Sequence, residues 1–311
     1  MPPSLTKSVL QVLKVLYQII TLLNIKHLST MLGSIIGDTV GSVYEFDNIK
    51  TTDFQLFGPK SSYTDDSIMT MAVARWLLDD PQHGDNTLEQ ALVNFATKYP
   101  CPMGGYGGMF HKWLFMPKSL GFAGERRPYN SWGNGSAMRC SACGWMFDTL
   151  EETEHVAGLS AAITHNHPEG IKGAQSASAA IFMARNGKSK EEIRNYITAK
   201  YGYNLNRTCD EIRRVYDWDS SCQGTVPEAM VAFFDSTDFE SAIRLAVSLG
   251  GDSDTLACIT GGIAEAFYKE IPDDIALKIW ELIPEDFKII LRGMEARTSY
   301  RLPKILKGES I

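Results

Sequence analysis

Two short acidic stretches stand directly before apolar segments with helical spacing. The first is YTDDS, with Thr64, Asp65 and Asp66, and the second is GGDSDTLA, with Asp252 and Asp254. Ser, Thr and Asp are common N-cap residues, and acidic side chains favour the positive end of a helix dipole, so either stretch alone is typical of a capped helix. One cap residue is enough for a helix, however, and both stretches carry a surplus of carboxylates.

Carboxylates that are brought together without a cation repel one another strongly. If the two helix ends meet, four carboxylates and two hydroxyls converge, and divalent cations would compensate the negative charge. Hard oxygen ligands without associated Cys or His select Mg²⁺, Mn²⁺ or Ca²⁺ over zinc or copper. The segment DSDTLACITGG lacks the glycine and the glutamate of an EF-hand calcium loop. The pattern therefore predicts a two-metal site that is shared between distant segments.

Two glycine-rich stretches and a pair of histidines are further candidates for ligand binding. The stretches cover residues 101–113 and 129–140, and the second runs into an apparent helix start at Ser136. Exposed N–H groups before a helix suit a phosphate, although glycine turns between helices are common without any ligand. His165 and His167 are spaced like a metal pair, but no third nitrogen or sulfur ligand is evident. Contact with an aromatic or ribose group, or plain packing, is therefore the preferred interpretation.

Apolar residues recur at helical spacing along almost the whole chain. The clearest segments cover residues 68–78, 88–99, 174–186, 239–250, 255–268 and 275–283. Alternating β-branched runs are nearly absent, so the sequence predicts an all-α fold in which loops rich in Gly, Pro and Asn join the helices. Gly261 and Gly262 would allow their helix to pack closely in the core. No repeat or low-complexity linker divides the chain, which favours one compact domain over residues 31–311.

The composition is that of a globular protein in a reducing compartment. The formal net charge of the 311 residues is −7, which argues against stable nucleic-acid binding because such binding requires basic surfaces. Six cysteines are scattered through the chain, as is typical of a cytoplasmic protein. Cys140 and Cys143 form a CxxC without a second such motif, so two small apolar side chains on a helix are preferred over a redox or zinc site.

Residues 1–30 differ from the rest of the chain. They contain Lys7, Lys14 and Lys26, no acidic residue, and an apolar run between the last two lysines. That run is too short to cross a bilayer, so no transmembrane segment is predicted. Three interpretations remain open for this N-terminal helical extension: an appended amphipathic helix, a translated region upstream of a true start at Met31, and a targeting segment.

Five segments in order resemble the ADP-ribosylglycohydrolase family, which includes the dinitrogenase reductase-activating glycohydrolase and the ADP-ribosyl-acceptor hydrolases. The segments are GSIIGDTVGSVYEF (33–46), YTDDS (63–67), SWGNGSAMR (131–139), ITHNHPEG (163–170) and GGDSDTLA (250–257). The resemblance implies an all-helical fold with a binuclear Mg²⁺ or Mn²⁺ centre between two helix N-termini. It also implies a monomer that cleaves the glycosidic bond between ADP-ribose and a protein or other acceptor, with ADP-ribose as product.

The resemblance assigns a role to each matching residue. The metal ligands would be Thr64, Asp65, Asp66, Asp252, Asp254 and Thr255. The loop that receives the diphosphate would be Ser131, Trp132, Gly133, Asn134, Gly135 and Ser136, and His165 would lie beside the adenosine or the proximal ribose. The expected catalytic residues are Glu45, which falls on a loop that is mobile in similar proteins, Asp65 and Asp254. Carboxylates at these positions could act as general acid or base and stabilise a positively charged ribose.

Other functions remain open at this point. One is a noncatalytic ADP-ribose binder or a crystallin-like structural relative, and another is a helical interaction protein with a structural metal. The complete ligand set and Glu45 favour the enzyme. The sequence departs from the usual family pattern at Ser67, Cys140, Ala142 and Cys143, which puts the shape of a loop in doubt more than metal binding. The acceptor linkage (arginine, serine, O-acetyl or nucleobase) is not specified.

Overall fold

The computed structural model describes residues 31–121, 125–298 and 301–307, so the predictions for residues 1–30 lie outside the described residues. Within these ranges the chain forms helices and loops, with two isolated β-bridges and no strand. The predicted all-α fold is therefore confirmed. None of the helices in the described ranges combines the length and the apolar content that a membrane span needs.

Fifteen α-helices lie within the described ranges. They are α1 Leu32–Gly41, α2 Asp65–Asp79, α3 Asp85–Lys98, α4 Gly108–Phe115, α5 Gly135–Met138, α6 Ser141–Met146, α7 Leu150–Ala162, α8 Pro168–Arg185, α9 Lys190–Tyr201, α10 Cys209–Val215, α11 Cys222–Asp235, α12 Phe239–Ser248, α13 Ser253–Tyr268, α14 Asp273–Leu282 and α15 Glu285–Arg297. Short 3₁₀ turns cover Pro117–Leu120 and Lys304–Lys307.

The six segments with the clearest helical period fall in α2, α3, α8, α12, α13 and α14, but several helices begin earlier than the period indicates. Helix α8 starts at Pro168 because proline is suited to the first turn of a helix and the His167 side chain accepts the Glu169 N–H group. Helix α2 starts at Asp65 because the Thr64 side chain caps it. Capping side chains therefore set the starts of these two helices.

Helix α13 lies at the centre of the fold and packs on α1, α8, α11 and α12. The backbones of α13 and α1 touch, because a Cβ atom on Gly37 would lie 1.9 Å from the Ala257 carbonyl oxygen and one on Gly261 would lie 2.1 Å from the Gly33 carbonyl oxygen. Close packing at Gly261 agrees with the prediction. The sequence analysis missed the matching glycines on α1, which lie four residues apart at Gly33, Gly37 and Gly41.

The contact between α1 and α13 also contains a buried carboxylate. Glu265 of α13 accepts the N–H groups of Leu32 at 3.3 Å and Gly33 at 2.9 Å, which are at the start of α1. A negative charge at a helix N-terminus is stabilised by the helix dipole and by the N–H groups that lack partners there. The two helices are therefore fixed to each other along their lengths, which places the end of α1 beside the start of α13.

We predict that Gly37→Ala destabilises the protein by about 3 kcal/mol, because the new methyl group cannot avoid the α13 backbone. The measurement is the free energy of unfolding in urea or guanidinium chloride. Gly58→Ala is the control, since the nearest atom to its Cβ position is 4.0 Å away. Equal stabilities of the two variants would contradict the direct backbone contact.

Candidate active site

A cavity of about 500 Å³ opens where the N-terminal ends of α2 and α13 meet. Five carboxylates from three segments line it: Glu45, Asp65, Asp66, Asp252 and Asp254. The Thr255 hydroxyl donates to Asp66 Oδ1 at 3.3 Å and so joins two segments that are 189 positions apart. The two acidic stretches found in the sequence therefore lie in one site.

Asp38 in α1 holds the start of α2 in place. Its carboxylate accepts hydrogen bonds from the Thr64 N–H at 2.9 Å, the Thr64 hydroxyl at 2.6 Å and the Ser67 N–H at 3.0 Å, and also from the Ser67 hydroxyl. Burial raises the pKa of Asp38 to about 6, although the hydrogen bonds from Ser67 and Thr64 oppose the rise. The sequence analysis gave Asp38 no role, and the available signal was a single acid in an otherwise apolar helix.

Without a bound cation, the cavity disfavours ionisation of all its carboxyl groups at once. Burial, followed by repulsion from neighbouring carboxylates, raises the pKa values of Asp65, Asp66 and Asp254 well above their usual range. The same two causes raise the pKa of Glu45 to about 7. A bound cation would favour the charged forms and lower these pKa values.

The donor set fits a hard divalent cation. Two buried carboxylate oxygens, Glu45 Oε2 and Asp66 Oδ2, have no hydrogen-bond partner among the described residues. One carboxylate oxygen each from Glu45, Asp252 and Asp254 lies within 4.8 Å of the other two. Unsatisfied buried carboxylate oxygens are costly, and oxygen is the ligand atom that Mg²⁺ and Mn²⁺ prefer. This close group includes Glu45, which the sequence analysis assigned to catalysis and not to metal binding.

The remaining members of the expected ligand set lie at two depths. Asp65 and Thr255 line the cavity, as does Asp66. Thr64 is fully buried and is not part of the cavity lining. Its hydroxyl donates to Asp38 and accepts the Asp66 N–H at 3.2 Å. In this arrangement Thr64 caps α2 and supports the carboxylates above it.

The second glycine-rich stretch forms another part of the wall. Ser131, Gly133, Asn134 and Gly135 line the cavity. The Asn134 side-chain amide donates to Asp252 Oδ2 at 2.7 Å, so this loop is tied directly to the acidic group. Glycines let a ligand approach the backbone closely, and a phosphate requires such an approach.

Trp132 and Ser136, which were expected in the same loop, are oriented differently. Trp132 is 52% exposed and packs edge-on against His167, with ring centroids 5.5 Å apart. The Ser136 hydroxyl is buried and donates to the Gly170 carbonyl oxygen at 2.7 Å. Neither residue belongs to the cavity lining. Trp132 therefore supports the loop from its exposed side, and Ser136 supports it from the buried side.

The two histidines have different surroundings. His165 is buried, lines the cavity and lies beside Gly133 and Gly135. The His167 side chain instead caps α8 by accepting the Glu169 N–H at 3.1 Å. His167 therefore acts as a helix cap, whereas His165 faces the cavity.

The lining also contains side chains that the sequence analysis did not identify as functional: Tyr106, Phe110, Tyr129, Arg139 and Trp218. Trp218 stacks on Phe46, the residue after Glu45, with ring centroids 5.5 Å apart and planes within 16° of parallel. Both rings are exposed, and their stacking joins the Glu45 loop to the loop before α11.

Asn48 anchors the Glu45 loop to the start of α13. Its amide nitrogen donates to the carbonyl oxygens of Tyr44 at 2.7 Å, Glu45 at 2.9 Å and Gly251 at 2.9 Å, and its amide oxygen accepts the Gly251 N–H at 2.6 Å. On the other side, a Cβ atom at Gly104 would lie 2.5 Å from Glu45 Oε2, and Gly104 has a φ of +76°. The positive φ therefore favours glycine at position 104, and a larger residue there would displace the end of the Glu45 side chain.

The ADP-ribosylglycohydrolase family model matches residues 23–297, which include most of the chain and the entire site. The chain belongs to the ADP-ribosylglycohydrolase family. The match begins inside the segment that the sequence analysis treated as an extension. Family membership makes the protein a hydrolase of the class that acts on ADP-ribose linkages.

Named relatives agree with the family. The chain is 24% identical over 332 residues to ADP-ribosylhydrolase ARH3 of Xenopus tropicalis. This alignment covers 83% of this chain and 91% of the relative. It is 26% identical to ADP-ribosylhydrolase ARH3 of Homo sapiens, in an alignment that covers 76% of this chain and 83% of the relative. It is also 26% identical to the ADP-ribosylarginine hydrolase Tri1 of Pseudomonas putida, in an alignment that covers 76% of this chain and 69% of the relative.

A solved structure supports the fold. A chain described as an ADP-ribosylglycohydrolase-related protein complex superposes with a TM-score of 0.66 at 20% identity, covering 87% of this chain and 96% of the other. The compact helical fold expected from the resemblance is thus confirmed. The metal centre remains a prediction.

Cys140 and Cys143, where this member departs from the usual family pattern, are buried free thiols at the start of α6. Burial raises the pKa of the Cys140 thiol to about 11, so the thiolate that redox or zinc chemistry needs is disfavoured. Cys140 Sγ lies 3.1 Å from the Ala137 carbonyl oxygen and 3.3 Å from that of Ala174. These contacts agree with the packing role that the sequence analysis preferred.

We predict that Asn48→Ala lowers the free energy of local opening of the Glu45 loop by about 2 kcal/mol, because the loop loses its hydrogen bonds to Gly251. Hydrogen exchange of the amides in residues 44–50 measures this opening. Asn94→Ala is the matched control, since the Asn94 side-chain oxygen accepts a hydrogen bond from Gln90 on the surface of α3, at 2.6 Å. Unchanged exchange in the Asn48 variant would show that the anchor does not hold the loop.

Proposed function

We propose that the protein is a metal-dependent hydrolase that cleaves the glycosidic bond between ADP-ribose and an acceptor. The observation that carries the proposal is the meeting of five carboxylates, two of them with unpartnered buried oxygens, in one cavity with a glycine-rich loop. The acids suit a cation and a positively charged sugar, whereas the loop suits a phosphate. ADP-ribose contains both a reacting ribose and a diphosphate.

The proposed ligands of two Mg²⁺ or Mn²⁺ ions are Asp65, Asp66, Asp252, Asp254 and Thr255, which line the cavity, together with Thr64, whose hydroxyl donates to Asp38 and would turn toward the ions when they bind. When bound, such ions would orient the ribose hydroxyls and lower the pKa of water. The unpartnered oxygen of Asp66 and the close approach of the Asp252 and Asp254 carboxylates support this ligand set. Because Glu45 lies within the same close group, it is placed to act on a ligand held beside the ions.

Glu45 is the proposed general acid or base. Without a cation, burial and then neighbouring negative charges raise its pKa to about 7, and bound cations would lower that pKa, so Glu45 would enter the reaction as a carboxylate that takes a proton. Asp65 and Asp254 would stabilise the oxocarbenium-like ribose through their negative charge. The anchors at Asn48 and the Phe46–Trp218 stack would hold Glu45 over the reacting bond.

The loop from Ser131 to Ser136 is proposed to receive the diphosphate. Only Ser131, Gly133, Asn134 and Gly135 of this loop line the cavity, so the backbone around the two glycines would make the direct contacts. The N–H groups at the start of α5 lack partners within the helix, as at any helix start, and they favour an anion. Trp132 and Ser136 would act by supporting this backbone.

The proposed substrate is an ADP-ribosylated protein or another ADP-ribosylated acceptor, and free ADP-ribose is the product. The relatives ARH3 and Tri1 carry names of ADP-ribosyl hydrolases, and the arginine linkage in the name of Tri1 makes ADP-ribosylarginine the first acceptor to test. A monomer in the cytoplasm is proposed as well, and the six free cysteines support a reducing compartment. A noncatalytic binder is not favoured, because binding ADP-ribose gives no reason to place Glu45 against the acidic group.

The proposal predicts release of ADP-ribose from at least one of a panel of arginine-, serine-, O-acetyl- and nucleobase-linked substrates in the presence of Mg²⁺ or Mn²⁺. Chelation of the metal should abolish turnover, and Asp254→Asn should lower it at least about a hundredfold because a charged oxygen in the cavity is lost. Chromatographic detection of free ADP-ribose measures both effects.

Asp274→Asn is the control for the Asp254 variant. Both aspartates are the second residue of their helix, but Asp274 is exposed on α14 and lies outside the cavity, so its variant should keep full turnover. Binding of ADP-ribose without turnover on any acceptor and with either metal would refute the enzyme. Wild-type turnover in the Asp254 variant would refute the ligand assignment.

A further inference from the structure

A chain of hydrogen bonds leads from a buried arginine to the cavity. Arg139 is fully buried, and its Nη2 donates to the Ser160 carbonyl oxygen at 2.8 Å and to Thr164 Oγ1 at 2.8 Å. Thr164 is fully buried as well, and its Oγ1 lies 2.7 Å from His165 Nδ1. The three side chains therefore form a line that ends at the imidazole in the cavity wall.

The direction of these hydrogen bonds follows from the chemistry of the first group. A guanidinium has N–H donors and no acceptor, so Thr164 Oγ1 must accept from Arg139. The hydroxyl hydrogen of Thr164 then needs an acceptor, and among the described residues the one within reach is His165 Nδ1. A buried hydroxyl hydrogen without an acceptor would cost about 1–3 kcal/mol. Nδ1 is therefore the acceptor, which places the ring proton on Nε2.

The other ring nitrogen faces the glycine-rich loop. Cβ atoms built on Gly133 and Gly135 would lie 3.6 Å and 3.3 Å from His165 Nε2, and Nε2 has no hydrogen-bond partner among the described residues. The titratable and charged groups that face the ring are Arg139 and Tyr129, whose ring centroid lies 6.0 Å away. Burial and the Arg139 charge lower the pKa of His165 well below its usual range, so the imidazole is neutral.

We propose that Arg139 and Thr164 are positioning residues that lock His165 in the tautomer with a proton on Nε2, so that it donates a hydrogen bond to a phosphate oxygen beside Gly133 and Gly135. The tautomer is independent of the proposed function, whereas the identity of the ligand oxygen rests on it. The opposite tautomer would point a lone pair at the anion and repel it. The lock therefore determines whether this part of the wall attracts or rejects the diphosphate.

The tautomer is tested without any ligand by long-range ¹H–¹⁵N correlation spectra of the histidine rings, which distinguish protonated from unprotonated ring nitrogens. We expect His165 to show protonated Nε2 and unprotonated Nδ1 in the wild-type protein and in Thr164→Ser, which keeps the hydroxyl. Thr164→Val removes the donor and should give a mixture of tautomers. Protonated Nδ1 in the wild-type protein would overturn the proposal, and so would an unchanged tautomer in Thr164→Val.

The consequence for binding is tested by titration calorimetry with ADP-ribose on the same proteins. We expect Thr164→Val to weaken binding about tenfold, which corresponds to roughly 1.4 kcal/mol, and Thr164→Ser to restore it. Thr153→Val is the matched control, because Thr153 is equally buried but its hydroxyl bonds the Thr149 carbonyl oxygen in its own helix, at 2.8 Å. This control should bind ADP-ribose as the wild type does.

The possible failures are distinguishable. Equal weakening in Thr153→Val and Thr164→Val would mean a general loss of stability and would overturn the specific role of Thr164. The expected tautomer with no binding of ADP-ribose to the wild-type protein would refute the proposed function and the phosphate contact, while the lock on His165 would stand. If Thr164→Val does not fold, the spectra of the wild type and of Thr164→Ser still decide the tautomer.

Discussion

The cavity carboxylates repel one another, and the rest of the structure must hold them together against that repulsion. Burial, and then repulsion between negative charges at short range, raises the pKa values of these carboxyl groups, and an uncompensated buried charge costs several kcal/mol. The fold holds the acids together nevertheless, because the glycine contact between α1 and α13 fixes two of the three segments that carry them. Asp38 fixes the third by binding the start of α2, and Asn134 ties the glycine-rich loop of residues 131–136 to Asp252.

The acids in this region differ in how their oxygens are satisfied. Asp38 accepts four hydrogen bonds from Thr64 and Ser67, which offset part of the cost of burying its carboxylate. Glu45 and Asp66 each keep a buried oxygen without a partner among the described residues. A protein that needed these acids only for stability would pair them as it pairs Asp38. The unpaired oxygens are therefore the feature of the site that most needs a cation.

The sequence predicted the helical fold and the pairing of the two acidic stretches, because helix periodicity and surplus carboxylates are local signals. It did not reveal Asp38, whose partners lie on another helix, or the glycines of α1, whose meaning depends on the helix they contact. Nor did the sequence show which residues of a motif face the cavity, since Trp132 and Ser136 share a motif with Gly133 but do not line the cavity. Contacts between distant segments decide these features, and a local pattern does not encode them.

We propose that the ends of α2 and α13 share one binuclear metal site. The most direct test is a crystal structure of the full-length protein grown with Mn²⁺, with anomalous difference density measured near the manganese absorption edge. We expect two strong peaks inside the cavity, both in contact with carboxylates from the two acidic stretches. Peaks restricted to surface acids, with none between Asp66 and Asp254, would contradict it.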